Sequence, residues 1–131
     1  MPVLGVGAAS APELVFVTVT QQVGDALGGG LIVQILSLFT LDKADEEAFL
    51  QAWASDAEFM KLAPGFISTQ LHRALGDSPT YLNYAVWEST EAFRGAFSHP
   101  QFLAKLAAYP ASAKAQPHLF QKVAVPGICV A

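Results

Sequence analysis

Asn83 and Trp87 stand four positions apart in the run Tyr81 to Glu88, whose aromatic and β-branched content reads as a strand. Side chains alternate across a strand, so Tyr81, Asn83, Ala85 and Trp87 share one face while Leu82, Tyr84, Val86 and Glu88 share the other. Turned toward helices, the first face projects a carboxamide and an indole N–H into an apolar space that Tyr81, Phe93 and Phe97 help to enclose. Two neutral donors between apolar walls suit the orientation of a flat aromatic molecule and the stabilisation of negative charge on its oxygen. The same pattern fits a plainer arrangement, in which Trp87 fills the core and Asn83 satisfies itself on backbone, because buried polar groups need partners.

The other chemistry-bearing residues are scattered. His72 sits within a largely apolar strand, His99 precedes Pro100 at a helix interruption, and His118 lies at the start of the last strand. Asp42, Asp45, Glu46 and Glu47 cluster where a helix begins and read as a solvated, dipole-matched face, with no histidine nearby to complete a metal-ligand set. Neither Gly5-Val6-Gly7 nor Gly28-Gly29-Gly30 makes a phosphate-binding fingerprint, and no nucleophile elbow occurs. Cys129, the single cysteine, has no intrachain partner and implies no oxidising compartment.

The elements that must position these residues follow from periodicity and punctuation. Leu31 to Leu41 is a continuous apolar run, expected of a strand buried on both faces. The helix opened by the acids carries Phe49, Trp53, Ala57 and Met60 at helical spacing and stops at Pro64-Gly65. Phe66 to Leu75 and Tyr81 to Glu88 form a hairpin about the turn Gly76-Asp77-Ser78-Pro79. Ser89 caps the next helix, whose apolar side is Phe93, Phe97, Phe102 and Leu106, broken at Pro100. Leu119 to Val125 reads as the last strand. The order is β-α-β-β-α-β, a ferredoxin-like α+β arrangement with an antiparallel sheet and helices on one face.

Three segments result. Residues 1 to 30 form an extension in which Leu14 to Thr20 reads as an extra strand; residues 31 to 126 form the ferredoxin-like domain; residues 127 to 131 are a tail. Two helices cover one sheet face only, yet the first and last strands read as apolar on both. A second copy packed face to face would cover the rest, so a homodimer is expected.

Composition agrees with that expectation. Of 131 residues, 53% are hydrophobic and 14% charged, against roughly 25% charged in an ordinary soluble domain. A formal net charge of -4 does not suit neutralising a phosphate backbone, so no nucleic-acid partner is expected. The longest apolar stretch, around Gly28 to Leu41, is too short to span a bilayer, and no Lys or Arg precedes Lys43 to make a secretory n-region. A cytoplasmic protein without a membrane partner is the expectation.

Pro64-Gly65-Phe66-Ile67-Ser68, His72-Arg73, Asn83-Tyr84-Ala85-Val86-Trp87-Glu88-Ser89 and Glu91-Ala92-Phe93-Arg94 together resemble the antibiotic biosynthesis monooxygenase family. The resemblance runs from about Leu31 to Val125, and Trp-Glu-Ser with its upstream Asn is its most specific part. It implies a dimeric α+β barrel. In the anthrone-oxidising members an Asn and a Trp spaced like Asn83 and Trp87 line the pocket, and neither metal nor flavin is used. The resemblance thus implies a substrate that, once deprotonated, reacts with O₂ itself, with Asn83 and Trp87 as donors to the anion and His72 as a proton relay. One departure is visible: the tyrosine that follows Trp-Glu-Ser in such enzymes stands here as Phe93. Heme is not expected, because the positions of that branch's axial His and pocket Trp hold Leu106 and Ala96 and Leu31 to Leu41 has no Asn.

The leading expectation is therefore a cofactor-independent monooxygenase acting on an electron-rich anthrone- or quinol-type aromatic. A non-catalytic dimeric small-molecule-binding or stress-response domain on the same scaffold is the alternative. An isomerase or decarboxylase using His72 as its acid–base group is a third.

Overall fold

The computed structural model describes residues 32–130, so the expected strand at Leu14 to Thr20 lies outside the described residues. Four strands and three helices follow one another as β1 (Val33–Thr40), α1 (Glu46–Met60), β2 (Phe66–Arg73), β3 (Thr80–Trp87), α2 (Thr90–Phe97), α3 (Pro100–Lys105) and β4 (Lys114–Phe120). The sheet order is β2-β3-β1-β4 with every pairing antiparallel. This is the ferredoxin-like arrangement expected from the element order.

The helices lie on one face of the sheet. Val33, Ile35, Ser37 and Phe39 of β1 and Tyr81, Ala85 and Trp87 of β3 are buried beneath them, joined by Phe49 and Met60 of α1, Phe93 and Phe97 of α2 and Phe102 of α3. Burying aromatic and aliphatic side chains on one side of a pleated sheet is the dominant favourable contribution here, at about 25 cal/mol per Å² of apolar surface. The buried stripe of α1 runs Phe49, Ala52, Asp56, Met60, one position off the expected Phe49-Trp53-Ala57-Met60. Trp53 and Ala57 are half-buried instead.

Local signals set the helix ends. Ser89 Oγ accepts from the Ala92 N–H at 3.0 Å, the N-cap expected for α2. Pro100 occupies the first turn of α3, and His99 caps that helix through Nδ1, which accepts from the Gln101 N–H at 3.0 Å. Gly65 has φ +86°, and a Cβ there would come within 2.4 Å of the Ala92 side chain. Only glycine lets this turn press against α2 while its carbonyl accepts from the Glu88 N–H at 2.8 Å, pinning the end of β3.

Two expectations about the last strand are corrected. It begins at Lys114 rather than Leu119 and ends at Phe120 rather than Val125. Pro117 lies inside it because β4 is an edge strand, where only one side of the backbone must donate to a neighbour. Nor is it apolar on both faces: Ala115, Pro117 and Leu119 turn inward, whereas Lys114, Gln116, His118 and Phe120 are exposed on the outer face. The residues after it, expected as a tail from 127, include a turn closed by a Val125–Cys129 bridge.

Candidate active site

β2 and β3 place the central pair. Register across the hairpin sets Leu71 opposite Asn83 and Thr69 opposite Ala85. A bulge between Phe66 and Ser68 adds one residue to β2 and reverses its side-chain parity. Phe66, Thr69 and Leu71 therefore share the helix-facing side, and His72 falls opposite Leu82 on the other side.

On the helix-facing side, Asn83, Trp87 and Thr69 border a narrow cavity of about 40 Å³ between sheet and helices. Its walls are Phe39, Met60, Phe66, Phe97 and Phe102, with Trp53, Asp56 and Ala57 entering from α1 and Tyr109 from the segment after α3. The space as it stands has room for no more than a few water molecules, so an aromatic ligand enters only if the mostly aromatic walls move apart.

Three residues of this wall carry polar groups with unused bonding capacity. Trp87 is 1% exposed and its Nε1 has no hydrogen-bond partner. The Thr69 hydroxyl donates to Asn83 Oδ1 at 2.7 Å, which leaves the Asn83 NH₂ as a donor. Asp56 is 7% exposed; its Oδ2 accepts from the Tyr109 hydroxyl at 2.6 Å while Oδ1 has no partner. Burial pushes the Asp56 carboxyl up from 3.8 to about 6, against the lowering effects of the Tyr109 hydroxyl and the Lys105 charge. Burial likewise pushes the Tyr109 phenol up, with the Asp56 charge and their hydrogen bond acting in the same direction.

Of the other expected site residues, the structure brings only Phe97 to this cavity and separates Phe93, Tyr81 and His72 from it. Phe93, with no exposed surface, packs against Trp87 with ring centroids 6.2 Å apart and, contrary to expectation, is not part of the cavity wall. The phenol that does line the wall belongs to Tyr109. Tyr81 is buried below the Phe49 ring, and its hydroxyl donates to Glu46 at 2.6 Å. Arg73 grips the same carboxylate at 2.7 Å and 3.2 Å, and its hydrogen bonds hold Glu46 down at about 2. Tyr81 thus ties α1 to the hairpin and does not touch the cavity. His72 is exposed on the opposite face, its Nδ1 3.3 Å from the Leu82 carbonyl oxygen, and has no route into the cavity within one protomer.

Asp56 and Tyr109 were not legible as site residues. An acid in a helix looks solvated until tertiary contact turns it inward; its place in the buried stripe, four residues before Met60, is the signal that could have flagged it. Among the described residues, no three His, Cys, Asp or Glu side chains come together as a metal site.

The family model described as antibiotic biosynthesis monooxygenase matches residues 32–108. The chain belongs to this family. Deoxynogalonate monooxygenase of Streptomyces nogalater is 33% identical over 88 residues, covering 67% of this chain and 74% of that protein. SnoaB, a cofactor-independent oxygenase from the same organism, has a solved structure that aligns with TM-score 0.66 and 29% identity over 73% of this chain and 97% of its own. A Caulobacter crescentus protein described as a candidate antibiotic biosynthesis monooxygenase aligns with TM-score 0.67 at 17% identity, over 79% of this chain and 99% of its own; that match speaks for the fold alone. This member of the antibiotic biosynthesis monooxygenase family is thus related to cofactor-independent monooxygenases, and the matched region contains Asn83, Trp87 and Asp56 alike.

Proposed function

We propose that this protein is a cofactor-independent monooxygenase that oxidises an electron-rich anthrone- or quinol-type aromatic with O₂. The observation that carries this reading is the pair of unspent donors, Trp87 Nε1 and the Asn83 NH₂, on two residues that line one aromatic-walled cavity. Donors held ready cost no reorganisation when negative charge develops on a substrate oxygen, and apolar walls strengthen the interaction by excluding water. An oxygen added to an electron-rich carbanion needs that kind of stabilisation of the anion. The relation to deoxynogalonate monooxygenase and to SnoaB supports the same chemistry. The test is oxygen uptake with a panel of anthrones and hydroquinols in chelator-treated buffer, where turnover is expected. A small molecule that co-purifies but is not consumed in oxygen would instead favour a binding domain.

We also propose that the protein works as a homodimer in the cytoplasm. The sheet face away from the helices carries Leu36, Leu38, Leu82, Tyr84 and Val86, with Leu38 39% and Phe120 45% exposed. A second copy of that face is its natural cover. The cytoplasmic assignment leans on Cys129, an exposed free thiol, which suits a reducing compartment.

A further inference from the structure

We propose that Asp56 is the general base of this site and Tyr109 its positioning residue, so that the cavity pairs one proton acceptor with two anion-stabilising donors. The inference rests on the oxygenase reading above and goes beyond it by naming the group that generates the reactive anion.

Asp56 projects from α1 into the wall that Asn83 and Trp87 border from β3. One carboxylate oxygen is held by the Tyr109 hydroxyl, and the other is buried without a partner. A buried carboxylate oxygen with no donor is costly, and such a group persists in a fold where it meets a donor during function. The Tyr109 ring packs against Phe39, 6.3 Å away and nearly parallel at 7°, and against Phe49 at 5.7 Å, which places its hydroxyl on the carboxylate. The ionisable groups acting on Asp56 are Tyr109 and Lys105, the latter also donating to Ser55 at 2.8 Å. A base that titrates near 6 is ionised at neutral pH and strong enough to accept a proton there.

In the step assigned to it, Asp56 Oδ1 takes a proton from an acidic ring CH₂ or phenolic O–H. The electron pair of the broken bond remains on the substrate and spreads onto the oxygen facing Asn83 and Trp87. The anion gives up its electron pair to O₂, forming a C–O bond and a peroxide at the former CH₂ carbon; the proton held on Asp56 goes to the outer peroxide oxygen, and loss of the remaining C–H hydrogen as a proton breaks the O–O bond, so that one oxygen atom stays as the ring carbonyl and the other leaves with both hydrogens as water. The substrate class is accordingly an aromatic ketone or phenol with one ionisable hydrogen on the side opposite the oxygen that the donors bind.

The experiment is oxygen uptake with anthrone as a function of pH, for the wild type, Asp56→Asn and Tyr109→Phe, with circular dichroism to confirm folding. Wild-type kcat/KM is expected to rise with pH through a midpoint near 6. Asp56→Asn should lose that limb and about 10²-fold or more of the neutral-pH rate, recovering in alkali as solvent ionises the substrate directly. Tyr109→Phe should keep the limb but move its midpoint upward, because the hydroxyl that favours the carboxylate is gone. Asp56→Asn activity within about threefold of wild type, with the limb intact, would overturn the assignment, as would an unmoved midpoint in Tyr109→Phe should the asparagine variant not fold. A wild type inert toward anthrone and every hydroquinol would instead reject the oxygenase reading and this proposal with it.

Discussion

The Thr69 hydroxyl donates to Asn83 Oδ1 at 2.7 Å from the neighbouring strand, so the end of the carboxamide left for the cavity is the NH₂. An amide free to rotate would present its oxygen to an anion half of the time and repel it. Thr69 is in this sense the residue that makes Asn83 a donor.

Thr69→Val should therefore lower kcat/KM about tenfold by releasing the amide, while Thr69→Ser keeps the hydroxyl and restores most of the loss. The stability cost should be small, about 1 kcal/mol for one half-buried hydrogen bond. Steady-state kinetics of the two variants, with thermal melts alongside, decide it; equal rates for valine and wild type would show that Asn83 needs no such support.

Asp56 gives stability a particular pH dependence. Its folded-state value lies above that of the unfolded chain, 3.8 rising to about 6, so the folded state binds the proton more tightly between those values. The stabilisation is fully present below the lower value and is lost as pH rises through the upper one. The shift corresponds to about 3 kcal/mol. Denaturant titrations should show the stability of Asp56→Asn relative to wild type improving by roughly that amount between pH 4 and pH 8, whatever constant offset the new amide introduces. A flat difference would mean that the carboxyl is not desolvated.

The outer sheet face predicts association. Wild type should sediment at twice the chain mass, and Leu36→Lys combined with Leu38→Lys, which puts two charges at its centre, should sediment as a folded monomer. Sedimentation of the wild type as a monomer at micromolar concentration would contradict the homodimer.

Much of this architecture is written in local pattern. The β3 alternation that puts Asn83 and Trp87 on one face, the Ser89 cap and the break at Pro100 depend on near neighbours in sequence, and each is found where those neighbours place it. What escaped depends on distant parts of the chain. The face of His72 is set by the bulge at the start of β2, a one-residue register change that strand propensity does not report. The start of β4 is hidden by Pro117, which reads as a breaker unless its strand is known to lie at an edge. Asp56 looks like any helical acid until Tyr109, 53 positions later, closes over it.

The central claim is that Trp87 Nε1 and the Asn83 NH₂ stabilise the anion through which O₂ is reduced. It is tested most directly by single-turnover oxidation of anthrone under isotopically labelled oxygen gas, comparing wild type with Trp87→Phe and Asn83→Ala. Trp87 Nε1 has no partner in the folded protein, so phenylalanine removes a donor without breaking a structural hydrogen bond. Wild type should place one labelled atom in the product with no added metal or flavin, and each variant should slow the chemical step by about 10²-fold with substrate binding little changed. Label incorporation at undiminished rate in both variants would contradict the account.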